Sequence, residues 1–284
     1  MSERIWITEV GPRDGLQNEH RIVSLADKVR LIDRLADAGC PEVEVSSFVR
    51  ADRVPQLADA QEVFAAIVRR PGTVYSALVP NIHGLERAIA AGADKVSLFT
   101  AASEAFNQKN TNASIAESIE RFRPVVSEAI EANLPVRVYV SCAVACPLEG
   151  CVTPAQVASL VDRLLELGSI EIDLGDTIGA ATPDDTERLL ETIALRIPID
   201  QIVLHLHDTR GAAIACARRA VELGVRRFDS ACGGLGGCPF APGAPGNVAT
   251  GALLGLCDEL GFATGIDRES MAETASWIRS LLGN

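Results

Sequence analysis

The chain has 284 residues, 48% of them hydrophobic and 23% charged, an ordinary make-up for a globular enzyme. Lys and Arg number 26 against 38 Asp and Glu, a net charge of −12 with no basic block, so nucleic acid is not an expected partner. No apolar run approaches the roughly 20 residues that cross a bilayer, and the amino terminus, MSERIWITEV, enters a strand almost at once, leaving no room for a signal or transit peptide. The expected setting is cytoplasmic, away from membranes.

In chain order, short β-rich runs fall at 5–10 (IWITEV), 42–47 (EVEVSS), 73–79 (TVYSALV) and 95–100 (KVSLFT). Four more follow at 135–141 (PVRVYVS), 169–174 (SIEIDL), 201–207 (QIVLHLH) and 225–230 (VRRFDS). Most lead into segments with a helical period, notably 28–38, 114–132, 154–167 and 183–196. Pro124 inside the second should kink or divide it. Thr153-Pro154 and Thr182-Pro183 read as a cap followed by proline at the first helical position. Eight strand–helix units without a Pro/Gly linker predict a single (β/α)8 TIM barrel over residues 1–284. An open doubly wound sheet is less consistent, because Val10-Gly11-Pro12-Arg13-Asp14-Gly15 after the first strand is no G-x-G-x-x-G.

In such a barrel the chemistry belongs at the carboxyl ends of the strands. There the chain offers Glu9, Arg13, Asp14 and Gln17 after strand one, and Glu44 and Ser46 on one face of strand two. Arg137, Tyr139 and Ser141 share a face of strand five; Asp173, Asp176 and Thr177 close strand six. Strand seven ends His205-Leu206-His207-Asp208, placing two of the four histidines at alternate positions. Taken singly, Asp14 and Asp176 read equally well as caps, and Tyr139 as a packed core tyrosine. Polar residues facing inward at the end of most strands are harder to explain without a site, since unpaired buried charge costs several kcal/mol. Two imidazoles with carboxylates suit Mg2+, Mn2+ or Zn2+, and the lack of a thiolate in the set favours Mg2+ or Mn2+.

Eight cysteines in an intracellular chain of this length are not expected to form disulfides. Cys142, Cys146 and Cys151 have no zinc or iron–sulfur spacing, and most of the eight read as buried small hydrophobes. Cys238 differs, because it stands in a glycine-rich loop at about 231–247 with Pro239, Pro242 and Pro245 behind it. That composition suits a lid presenting one reactive side chain, though a tight structural loop with an incidental thiol is the plainer alternative.

Ile7–Glu19 (ITEVGPRDGLQNE), Glu44–Val49 (EVSSFV), Leu174–Gly179 (LGDTIG), His205–Thr209 (HLHDT) and Gly234–Thr250 (GLGGCPFAPGAPGNVAT) resemble the 3-hydroxy-3-methylglutaryl-CoA lyase family over roughly residues 5–265. The resemblance implies a retro-Claisen cleavage of an acyl-CoA substrate to acetyl-CoA and acetoacetate, and a homodimer. By motif, Asp14, His205, His207 and Asn247 would hold Mg2+ or Mn2+, Arg13 would stabilise the departing enolate, and Cys238 would transfer a proton. Glu44, Asp176 and Tyr139 would support that chemistry, with Gln17, Ser46 and Thr177 joining Arg13 as substrate contacts. Related readings are cleavage of a longer-chain hydroxyglutaryl-CoA or of citramalyl-CoA, and, with less support, a Claisen-condensing synthase. A non-catalytic barrel would predict a broken ligand set, whereas all four candidates are present. The chain departs from the family pattern after Thr250, where Gly251 replaces Glu. Arg50, Arg53, Asn107 and Lys109 sit in loops that could meet the CoA moiety.

Overall fold

A computed structural model describes residues 3–168, 170–236 and 245–283. Among the described residues, eight parallel strands close a barrel: β1 (Trp6–Glu9), β2 (Glu42–Ser47), β3 (Val74–Leu78), β4 (Lys95–Ala101), β5 (Val136–Ser141), β8 (Glu171–Asp176), β9 (Val203–Leu206) and β10 (Arg227–Ser230). The intervening β6 (Ala145–Cys146) and β7 (Gly150–Cys151) form a small antiparallel hairpin outside it. Sequential neighbours pair around the ring, and β1 closes it by pairing with both β10 and β2. The expected (β/α)8 architecture is therefore the observed one. The hairpin escaped the sequence reading because two-residue strands carry no period.

Helices cover the outside: α1 (Leu25–Asp37), α2 (Ala60–Ala66), α3 (Ile82–Ala90), α4 (Glu104–Thr111), α5 (Ile115–Glu131), α6 (Pro154–Leu165), α7 (Pro183–Ile193), α8 (Ala213–Leu223), α9 (Thr250–Leu260) and α10 (Arg268–Leu282). Thr153 and Thr182 cap α6 and α7 as their spacing predicts, each accepting from the backbone N–H three residues on, with Pro154 and Pro183 behind them. Pro124 does not divide α5, which runs through it as one helix. Ile119, Phe122, Val125, Val126 and Ala129 bury the same helix in the core, and that burial outweighs one lost backbone hydrogen bond. No helix among the described residues is long and apolar enough to cross a membrane.

Six of the seven described cysteines are buried free thiols; Cys151, in the hairpin, is exposed. The barrel interior is not purely apolar. Arg137 donates to Asp229 at 2.9 Å and to Thr8 at 3.0 Å, and also pairs with Glu171, while Lys95 bridges Glu42 and Glu171 at 3.1 and 3.0 Å. Those five charged groups come from five different strands, so the network ties the barrel across its axis as well as around its wall.

A candidate active site at the mouth of the barrel

After β1 the chain makes one π-helical turn, Gly11–Gly15, that delivers Arg13 and Asp14 to the mouth of the barrel. Glu9, fully buried at the end of β1, anchors this turn by accepting from Gly11 N, Cys232 N and Thr250 Oγ1. Burial pushes its pKa up to about 7 against those three donors, and its two oxygens tie the turn to the loop after β10 and to the start of α9. Glu9 thus fastens together the two segments carrying Asp14 and Asn247.

The Arg13 guanidinium is 5% exposed and gives Nε to Glu44 and Nη1 to Asp14, each at 2.5 Å. Glu44 takes its second bond from Ser97 Oγ at 2.5 Å. Burial works against the Arg13 charge, but Glu44 and Asp14 outweigh it and raise its pKa further. The guanidinium lies over the Tyr139 ring, 5.2 Å from its centre. Tyr139 in turn meets His205 edge-on at 6.2 Å. Burial, and after it the negative Asp229 and Glu44, raise the Tyr139 phenol well above its ordinary pKa, so it keeps its proton at neutral pH. Its hydroxyl has no hydrogen-bond partner among the described residues.

Around Asp14 the ligand-type atoms converge. His205 Nε2 and His207 Nε2 are 3.2 Å apart, and His205 Nε2 is 3.9 Å from Asp14 Oδ2. One ligand atom from each of Asp14, His205 and His207 lies within 4.8 Å of the others. Burial would raise the Asp14 carboxyl, but Arg13, with His205 and His207, overrides it and holds the group well below the carboxylate range. Burial and the neighbouring His205 bring His207 down to about 4, whereas for His205 the bond to Asp229 and the charge of Asp14 override burial and raise it.

Asn247 joins this cluster from the far side. Its backbone pairs antiparallel with His207, and its Nδ2 donates to Asp14 Oδ2 at 2.9 Å and to Leu235 O at 3.0 Å. Asn247 Oδ1 is buried with no partner among the described residues, the condition of an oxygen that has a ligand position to fill. The close approach requires glycine at 236: φ there is +90°, and a Cβ would stand 2.7 Å from Asn247 Nδ2.

Arg13, Asp14, Gln17, Tyr139, Thr177, His205 and His207 all line one cleft of about 490 Å3, walled on its apolar side by Phe99 and Phe106. Lys109 and Asn110 also line it. Glu44 and Asn247 stand behind this wall, reaching it through Arg13 and Asp14. Asp176 is not among the residues that line the cleft; its carboxylate accepts from Ala180 N and Ala181 N at 2.9 Å each, shaping the loop after β8. Burial raises its pKa, and the two backbone donors oppose the rise. The face shared by Glu44 and Ser46 is broken, because the β2–β3 register shifts between them and Ser46 pairs with Ala77. Ser46 is buried and does not line the cleft. Asn107 spends its side chain on Ala113 O, Ser118 and Thr100, holding the α4–α5 connection. Cys238 and the surrounding 237–244 lie outside the described residues.

Sequence reading passed over Asp229. It is fully buried on β10 and accepts from Arg137 on one oxygen and faces His205 Nδ1 on the other, at 3.1 Å. Its signal was an acid at an inward position of a strand otherwise packed by Phe228, which pattern alone does not distinguish from a loop-start cap. Gly251 is the second residue of α9, exposed, with open space where a Cβ would go. That helix has no acidic residue in its first turn. Gly251→Glu should therefore raise stability by about 1 kcal/mol, from helix propensity and a favourable charge at the helix amino end. A urea melt showing no gain would mean that Gly251 is held by something other than sterics.

A scan against family models matches residues 4–278 to the HMGL-like family. The chain is 49% identical to a hydroxymethylglutaryl-CoA lyase of Pseudomonas mevalonii, covering 99% of this chain and 93% of that one. It superposes with a TM-score of 0.98 on the crystal structure of the HMG-CoA lyase from Brucella melitensis, 48% identical over the full length of both chains. An HMG-CoA lyase from Acinetobacter baumannii, solved in complex with coenzyme A and 3-methylmalate, matches with a TM-score of 0.94 at 38% identity, covering 99% of this chain and 92% of that one. The same barrel, matched along its whole length by relatives of nearly half-identical sequence, leaves one assignment: the chain belongs to the HMGL-like family.

Proposed function

We propose that this protein is a carbon–carbon lyase that cleaves 3-hydroxy-3-methylglutaryl-CoA into acetyl-CoA and acetoacetate, with Mg2+ or Mn2+ at Asp14, His205, His207 and Asn247. The observation that carries the reading is the convergence of Asp14, His205 and His207 beside a buried, doubly paired arginine at the carboxyl end of the barrel. The donor set fits a hard cation: two imidazole Nε2 atoms facing each other, a carboxylate held ionised, and a buried amide oxygen with no other partner. When bound, the cation supplies positive charge that orients the substrate's tertiary hydroxyl and makes its proton easier to remove.

The bond that breaks joins the thioester's α-carbon to the hydroxyl-bearing carbon. Loss of the hydroxyl proton turns that carbon into the ketone of acetoacetate, and the bonding pair leaves as the enolate of acetyl-CoA. Arg13 faces the cleft with a permanent charge and stabilises this enolate. Glu44 and Asp14 take two edges of the guanidinium and fix its plane, so the group does not have to reorganise as charge develops. From its motif, Cys238 takes part in the proton transfer, to or from the enolate or the hydroxyl. Tyr139, Gln17, Thr177 and Lys109 line the cleft that takes the substrate in this reading.

The test is to incubate the protein with 3-hydroxy-3-methylglutaryl-CoA and Mn2+ or Mg2+, follow both products by mass spectrometry, and repeat with EDTA. Cation-dependent formation of acetyl-CoA and acetoacetate in equal amounts is expected, and His207→Ala should lose both cation binding and cleavage. Turnover that survives EDTA, or a folded cation-loaded protein that releases no acetyl-CoA, overturns the proposal.

A further inference from the structure

We propose that Asp229 fixes the tautomer of His205, holding the ring proton on Nδ1 so that the unprotonated Nε2 is presented to Asp14 and His207. Its functional consequence rests on the reading of His205 as a cation ligand; the tautomer assignment itself does not.

The argument starts from the carboxylate's two oxygens. Oδ1 of Asp229 accepts from Arg137 Nη1 at 2.9 Å, and Oδ2 lies 3.1 Å from His205 Nδ1. An arginine has only donors, so Oδ1 is committed as an acceptor, and a carboxylate paired with a guanidinium carries no proton of its own to give. The hydrogen bond to His205 therefore needs the proton on Nδ1. Arg137 cannot easily swing away, since Thr8 at 3.0 Å and Glu171 hold its other edges and it is 2% exposed. The carboxylate plane, and with it the imidazole plane, is locked from beneath. Tyr139, edge-on to the ring at 6.2 Å, limits rotation from the side. A histidine ligand oriented by a carboxylate on its far nitrogen is a recurrent way of raising basicity and saving reorganisation.

The arrangement makes one substitution unusually informative. In Asp229→Asn, Arg137 can be met only by the amide oxygen. The amide NH2 is then forced toward His205 Nδ1, which must accept, so the proton moves to Nε2 and blocks the nitrogen that faces Asp14. Asp229→Ser is milder, because it leaves room for a water that can accept from Nδ1.

The experiment is two-bond 1H–15N NMR on protein labelled at histidine nitrogens, at a pH where the ring is neutral, combined with Mn2+ titration followed by EPR. The wild-type protein should show His205 protonated at Nδ1. Asp229→Asn should show it protonated at Nε2, with Mn2+ binding weakened about 10–100-fold, and Asp229→Ser should recover part of that affinity. A wild-type His205 protonated at Nε2 overturns the inference without need of any variant, as does an Asn variant that keeps the Nδ1 proton. If the tautomers are as stated but the wild-type protein takes up no Mn2+, the positioning role of Asp229 stands and the cation reading of the site falls.

Discussion

Arg13→Gln is expected to lower kcat by about 10²–10³-fold, the usual effect of removing one preorganised donor from a site of developing negative charge. The side chain is buried, carries two carboxylate partners at 2.5 Å, and lines the cleft directly above Tyr139. Gln keeps a hydrogen bond to Glu44 but removes the fixed positive charge, so substrate binding should change less than turnover. Arg13→Lys tests the geometry: it keeps the charge, yet one ammonium cannot serve Glu44 and Asp14 through separate edges of a fork. Lysine should therefore recover only part of the loss. Steady-state rates at saturating Mn2+, with circular dichroism to show the fold is kept, decide the matter; a Gln variant with near-normal kcat would remove Arg13 from the mechanism.

The second large effect is on stability. Arg137→Met should destabilise the protein by about 3–5 kcal/mol, because it leaves buried carboxylates without their cation. Asp229 loses the bond to its Oδ1, and Glu171 and Thr8 each lose a partner. Asp173 sits 3.6 Å from the same guanidinium and beside Asp229, and burial, then the Asp229 charge, has already pushed its pKa well up. Lys95, bonded to Glu42 and Glu171, replaces only the outer part of the missing charge. At roughly 2–4 °C per kcal/mol for a chain near this size, Tm should fall by about 6–20 °C. A calorimetric shift of a degree or two would show that the interior network is dispensable.

Much of the site was legible before any coordinates. Arg13, Asp14, Glu44, Tyr139, His205 and His207 stand out because each is polar near a strand end, and because alternation of the extended chain brings His205, on β9, and His207, just past it, to one side. Two residues stand apart from the cleft for local reasons. The bulge in β2 breaks the period-two rule between Glu44 and Ser46, and no residue in EVEVSS announces it. Asp176 ends a strand as the others do, but the next turn, up to Gly179 at φ +58°, brings two backbone N–H groups onto its carboxylate.

The eight barrel strands, the (β/α)8 class, and the capped starts of α6 and α7 were determined by the sequence alone, since periodicity, proline placement and cap chemistry act over a few residues. Distant partnerships were decided by the tertiary structure. Asp229 meets His205 across 24 positions and Arg137 across 92, and Glu9 reaches Thr250 across 241. Such pairs leave no local signature, because the free energy that selects them comes from desolvating both partners together inside a closed barrel, and closure is a property of all eight strands at once.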